Sequence, residues 1–208
     1  IAYPYALQLY SVRDYMKKNP AEGFDLVKEA GYRYVETAGN YNLTAFKMRN
    51  MMDASGLVPI SMHVPFDEIV QHPGRVIENA QTLKVSYVVV PWLGADSCPD
   101  RNAWLEAAET MDDAGALLAT EGLTLCYHNH AHEFERFGEE TIFDLIFNNS
   151  DPENLKIELD MCWAAVAKAS VCDILKHYRG RIPLVHVKDY KSPMPDMPVV
   201  FTELGKGM

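Results

Sequence analysis

The 208-residue sequence has no CxxC pair, no run of apolar residues long enough to span a bilayer and no excess of positive charge. Each absence excludes a class of protein. Its four cysteines, Cys98, Cys126, Cys162 and Cys172, lack the spacing of a zinc ribbon or of a small disulfide framework, and read as free thiols in a reducing setting. Without a long apolar run there is no transmembrane helix to expect. With 19 Lys and Arg against 29 Asp and Glu, the net charge is −10 and no local basic patch offsets it. A nucleic acid or an anionic membrane would meet net repulsion, so neither is expected as a partner. Linkers, low-complexity tracts and solenoid repeats are also lacking. A chain that is 48% hydrophobic and undivided in this way is expected to bury one core, as a single domain over residues 1–208.

What is present is an alternation of strand-like and helix-like segments. Strand patterns run over Tyr5–Tyr10, Tyr32–Glu36, Val58–Val64, Tyr87–Val90, the stretch from Leu123, Leu155–Leu159 and Ile182–Val187. Helical spacing fills the intervals at Ala21–Ala30, Thr44–Ser55, Pro73–Leu83, Asp100–Thr120, Thr141–Phe147 and Val171–Tyr178. Tyr87–Val90 has no polar alternation, as expected of a parallel strand covered on both faces. The methionines of 44–55 read as core. Seven strand candidates with helices between them predict parallel βαβ units, an α/β fold.

Polar residues gather where these strands end. Glu36 and His63 fall at the ends of the second and third, Gln8 lies within the first on a face that can point into a barrel mouth, and Leu123–Phe134 (LTLCYHNHAHEF) crowds His128, Asn129, His130, His132 and Glu133 behind an apolar strand. Asp160 follows the sixth strand, and His186, Lys188 and Asp189 lie on or after the seventh. Such placement suits a (β/α)8 TIM barrel, whose active site is built from the loops at the carboxyl ends of its strands. Glu133, Asp160 and His186 together offer two carboxylates and an imidazole, a donor set for Mn, Mg, Co or Zn. The plainer alternative makes Asp160 a helix cap, His186 a core residue and the histidines of 128–132 strand caps.

YHNHAHEF (127–134), ELDMCW (158–163), HVKD (186–189), ELGKG (203–207) and LQLYSVRD (7–14) resemble, in this order, the xylose-isomerase-like TIM-barrel family of sugar phosphate isomerases and epimerases. The resemblance implies one divalent metal ion at the carboxyl end of the barrel. Asp160 and His186 carry over as ligands, and the strand-five ligand is Glu133, His128 or His130. A strand-eight ligand has no counterpart before Met208, so the last strand and its flanking helices are expected to be missing and the domain incomplete at its C-terminus. DNA-repair endonucleases of the same superfamily need a histidine where this chain has Trp163, an aromatic residue better suited to a sugar ring.

The expected activity is that of a metal-dependent sugar isomerase or epimerase working by proton abstraction next to a carbonyl. His128 and His130 are the catalytic candidates, with Glu133 a further possible base and Lys188 stabilising the developing oxyanion, while Gln8, Arg13, Glu36, His63 and Trp163 define the substrate pocket. The alternatives are a dehydratase, a lyase or hydrolase acting on inosose or 3-keto-glycoside substrates, and a non-catalytic sugar-binding barrel. The partner is a small sugar or polyol, and homo-oligomerisation stays open. A cytoplasmic location is expected, and export stays open because the chain begins at Ile1 rather than Met.

Overall fold

In the computed structural model, which describes residues 5–191 and 199–208, the first strand is β1 (Ala6–Gln8). The alternation read over Tyr5–Tyr10 stops there because the Gln8 side chain accepts a hydrogen bond from Tyr10 N at 2.9 Å, which starts a 3-10 turn over Leu9–Val12. Helix α1 (Arg13–Lys18) follows, a short element that the sequence pattern did not suggest. Asn19 then caps α2 (Pro20–Glu29), accepting from Ala21 N at 3.2 Å while Pro20 occupies the first turn. The other strands that carry the sheet are β2 (Tyr34–Ala38), β3 (Val58–His63), β4 (Tyr87–Val90), β5 (Thr124–His128), β6 (Leu155–Asp160) and β7 (Leu184–His186).

Two compact units divide the chain, Ile1–Val90 with Leu117–Leu125, and Pro91–Ala116 with Cys126–Met208. In the first, strands hydrogen-bond in the order β1-β2-β3-β4-β5. The pairs from β1 to β4 are parallel, with Gln8 opposite Glu36 and His63 opposite Val89. A register shift between Val35 and Glu36 sets Glu36 against Ser61 rather than Ile60. Helices α3 (Ala45–Ser55), α4 (Phe66–Gln71) and α5 (Pro73–Leu83) belong to this unit, α3 capped by Thr44 and stopped by Gly56 at φ 70°. Met48 and Met52 are buried with Phe24, Val27 and Leu57, whereas Phe46, on the same helix, is exposed.

The second unit takes up β5 at Cys126 and continues β5-β6-β7. β6 and β7 run parallel, with Glu158 opposite Leu184 and Asp160 opposite His186. Leu155, Ile157 and Leu159 fill one face of β6 and are fully buried. Period-two alternation sends Glu158 and Asp160 to the other face. Trp104 and Met111 from α6 (Arg101–Ala119) belong to the core, as do Phe143 and Phe147 from α7 (Ile142–Asn148). Gly115 permits α6 to meet the turn before β6, since an added Cβ would run into Asn154 O. Arg181 ties the same region together from inside, donating to Leu155 O at 2.9 Å, Phe147 O at 2.6 Å and Ser150 O at 3.0 Å.

After β7, Asp189–Lys191 and Val200–Thr202 form an antiparallel ladder that strand periodicity did not reveal. Among the described residues no helix is long and apolar enough to cross a membrane.

Candidate metal centre

In the first unit the ends of β1, β2 and β3 meet at Glu36. Its buried carboxylate accepts from Gln8 Nε2 at 2.7 Å and from Ser61 Oγ at 2.5 Å, and lies 3.1 Å from His63 Nε2. The Glu36 register shift makes this possible by bringing Ser61 alongside. Gln8, Glu36 and His63 are therefore together. Arg13 is not with them; its guanidinium lies 4.4 Å from the centre of the Tyr10 ring and donates to Tyr10 O.

In the second unit the carboxyl ends of β5, β6 and β7 converge on Glu158. Glu158 Oε1 stands 3.0 Å from His128 Nδ1 and 3.1 Å from His186 Nε2. His128, Glu158 and His186 each offer one ligand atom, and these lie within 4.8 Å of one another. Asp160 is one residue pair further along the same face of β6, with Oδ2 3.7 Å from His128 Nε2, 3.8 Å from His186 Nδ1 and 2.5 Å from Lys188 Nζ. Its other oxygen accepts from Trp163 N at 2.9 Å, so Asp160 also caps α8 (Met161–Val166). The thiol of nearby Cys162 is pushed up to about 11 by burial and, secondarily, by the Asp160 charge, which keeps it protonated at neutral pH.

Beyond β5 the chain turns so that Glu133 faces away from His128. Glu133 is fully buried, with Tyr127 OH donating to Oε1 at 2.8 Å and the His130 main-chain N–H donating to Oε2 at 2.7 Å. Burial raises its carboxyl above the ordinary range, and burial and then the Glu133 charge push the Tyr127 phenol well up. His132 Nε2 donates to Leu93 O at 2.6 Å and lies 3.2 Å from Glu133. These bonds hold the 129–134 turn. His130 is left edge-on to His128 at 5.0 Å between ring centres, with Trp92 at 4.7 Å and Trp163 at 5.6 Å.

Of the residues singled out in the sequence, His128, Asp160, His186 and Lys188 thus form one cluster, with His130 and Trp163 beside it. Glu133 lies behind it on Tyr127. Glu158 is not among the ligand candidates of the sequence reading, although the alternation of LKIELD sets it on the face of Asp160. Two imidazoles and a carboxylate within ligand distance of each other fit a divalent ion such as Zn, Co or Mn, and a second carboxylate adjoins them.

Residues 24–208 match the family described as xylose isomerase-like TIM barrel. The chain belongs to that family. Polar residues at the carboxyl ends of successive parallel strands stand where a TIM barrel builds its active site. No curated protein matches the chain. Among solved structures it is similar to a sugar phosphate isomerase/epimerase from Parabacteroides distasonis, with TM-score 0.79 and 22% identity over 96% of this chain and 81% of that one. A probable 3-DHS dehydratase from Bacillus anthracis gives TM-score 0.64 and 15% identity, covering 91% of this chain and 74% of that one. The IOLI protein with a binding zinc atom gives 0.65 and 14%, covering 88% and 74%. At these identities the xylose isomerase-like fold is what is shared.

Proposed function

We propose that this protein is a metal-dependent isomerase or epimerase of a sugar or related polyol, working by proton transfer next to a carbonyl. One observation carries the reading: His128, Glu158 and His186 offer ligand atoms within 4.8 Å of one another at the ends of neighbouring strands. In this reading those three residues hold the ion, and Asp160 Oδ2 is the next donor. A divalent ion bound there would supply Lewis acidity, polarising a carbonyl and acidifying the adjacent C–H.

The remaining work falls to the chain. His130, whose ring is 5.0 Å from that of His128, is the base that takes and returns the proton. Lys188, held 2.5 Å from Asp160, donates toward an oxygen that gains charge. Trp163 offers an aromatic face to the ring of the substrate. Of the substrate contacts expected from the sequence, Gln8, Glu36 and His63 are gathered in the first unit, whereas Arg13, the first residue of α1, is held apart on Tyr10. The same proton abstraction followed by loss of a β-substituent would make the enzyme a dehydratase or a 3-keto-glycoside lyase.

The test is hydrogen exchange in D2O. Aldo- and keto-sugars, inososes and 3-keto-glycosides are incubated with protein stripped of metal and then reloaded with Mn, Co or Zn. Metal-dependent incorporation of deuterium next to the carbonyl is expected, with His130→Ala lowering the rate by about 10²–10⁴-fold while metal stays bound. An inverted or moved centre assigns isomerisation or epimerisation, and a lost water or aglycone assigns the lyase. Sugars that bind without exchange under every metal would overturn catalysis in favour of a sugar-binding barrel.

A further inference from the structure

The residue that orients Asp160 is not one of those proposed above to touch metal or substrate. Asn129 follows the last residue of β5 and is fully buried. Its Oδ1 accepts from Asp160 N at 2.9 Å, and its Nδ2 donates to Asp160 O at 3.2 Å and to His130 O at 3.3 Å. One carboxamide therefore satisfies both main-chain groups of Asp160, in place of the two backbone groups that a continuing neighbouring strand would supply. β5 can turn away after His128 without leaving the end of β6 unsupported on that side. On the other side Asp160 is in register with His186.

Two restraints then define the Asp160 carboxylate. Asn129 holds its main chain, and Trp163 N occupies Oδ1 at 2.9 Å. Oδ2 is the oxygen left facing Lys188, His128 and His186. A main-chain shift at Asp160 would move Oδ2 by a comparable amount, and ligand atoms must sit within a few tenths of an ångström of their place.

We propose that Asn129 is a positioning residue for this centre, acting through the main chain of Asp160 to present its Oδ2 to the His128–Glu158–His186 group. The proposal rests on the metal-dependent reading for its consequence, but the clasp itself is testable without metal. Co²⁺ affinity and the Co²⁺ d–d spectrum are measured for the wild type, Asn129→Ala, Asp160→Asn and the double variant. Each single change should weaken Co²⁺ binding by about 10–100-fold, the range for outer residues that orient ligands, and should alter the spectrum. The double variant should be no weaker than Asp160→Asn alone, because Asn129 acts only through Asp160.

In parallel, amide exchange at Asp160 is followed in the metal-free proteins, where Asn129→Ala should exchange at least 10-fold faster while distant β6 amides such as Ile157 keep their protection. Additive losses in the double variant, or unchanged exchange at Asp160, would overturn the positioning role. A wild type that binds no Co²⁺, with the Asp160 amide still deprotected by Asn129→Ala, would sink the metal reading and leave the clasp standing.

Discussion

The proposed metal centre takes Glu158 as its ligand where the sequence reading offered Glu133, and substituting each by its amide separates the two assignments. Glu158 is 1% exposed and sits between two imidazoles; Glu133 is buried on Tyr127 and the His130 amide. At an ion concentration of about 1,000 times Kd, binding stabilises the native state by about 4.1 kcal/mol. If Glu158→Gln weakens binding by about 100-fold, the same concentration is only about 10 times Kd and the gain falls to about 1.4 kcal/mol. The difference, about 2.7 kcal/mol, corresponds to about 5–11 °C of Tm for a chain of this size. Glu133→Gln should retain the full increment, since the amide can still accept from His130 N–H while donating to the Tyr127 oxygen. Melting curves with and without Co²⁺ or Zn²⁺, read by fluorescence or calorimetry, give the two increments directly. Loss of the increment in Glu133→Gln with retention in Glu158→Gln would refute the assignment and restore the strand-five glutamate as ligand.

Arg181→Ala should destabilise the protein by about 3–5 kcal/mol in urea melts, because three main-chain carbonyls and the Ser150 hydroxyl lose their donor in a buried setting; a loss under about 1 kcal/mol would mean that water replaces the guanidinium. Asp189 accepts from the main-chain N–H groups of Gly207, Tyr190 and Gly205, and these hold its carboxyl below the ordinary 3.8. A depressed acid stabilises the folded form above its unfolded pKa and loses that contribution as pH falls through the lower folded value, so the Gly205 and Gly207 amide resonances should titrate with a midpoint below 3.8, and a midpoint at or above it would contradict the contact.

Strand and helix alternation could be read from the sequence because it is local. Apolar spacing of two or of about 3.6 residues, punctuated by Asn19-Pro20, Thr44, Gly56 and Gly122, sets each element from its own residues. The resulting run of parallel βαβ units, and with it the TIM-barrel family, was borne out. So was the gathering of polar side chains at strand ends, since a covered parallel strand has nowhere else to put them. Elements shorter than two turns, such as α1 and the ladder of Asp189–Lys191 with Val200–Thr202, left no periodic trace.

Which side chains face one another was decided by tertiary structure. In Leu123–Phe134 the sequence offers three histidines and a glutamate within six residues and no means of ranking them. Alternation sends Tyr127 and His128 to opposite faces of β5, and the turn that follows delivers Glu133 to the phenol of Tyr127 rather than to the imidazole of His128. Glu158 and Asp160 were always two apart on one strand, but their meeting with His128 and His186 depends on the β6–β7 register and on the Asn129 clasp across 31 positions of sequence. A strand's own pattern reports which face a residue occupies; only the pairing of strands reports what stands opposite it.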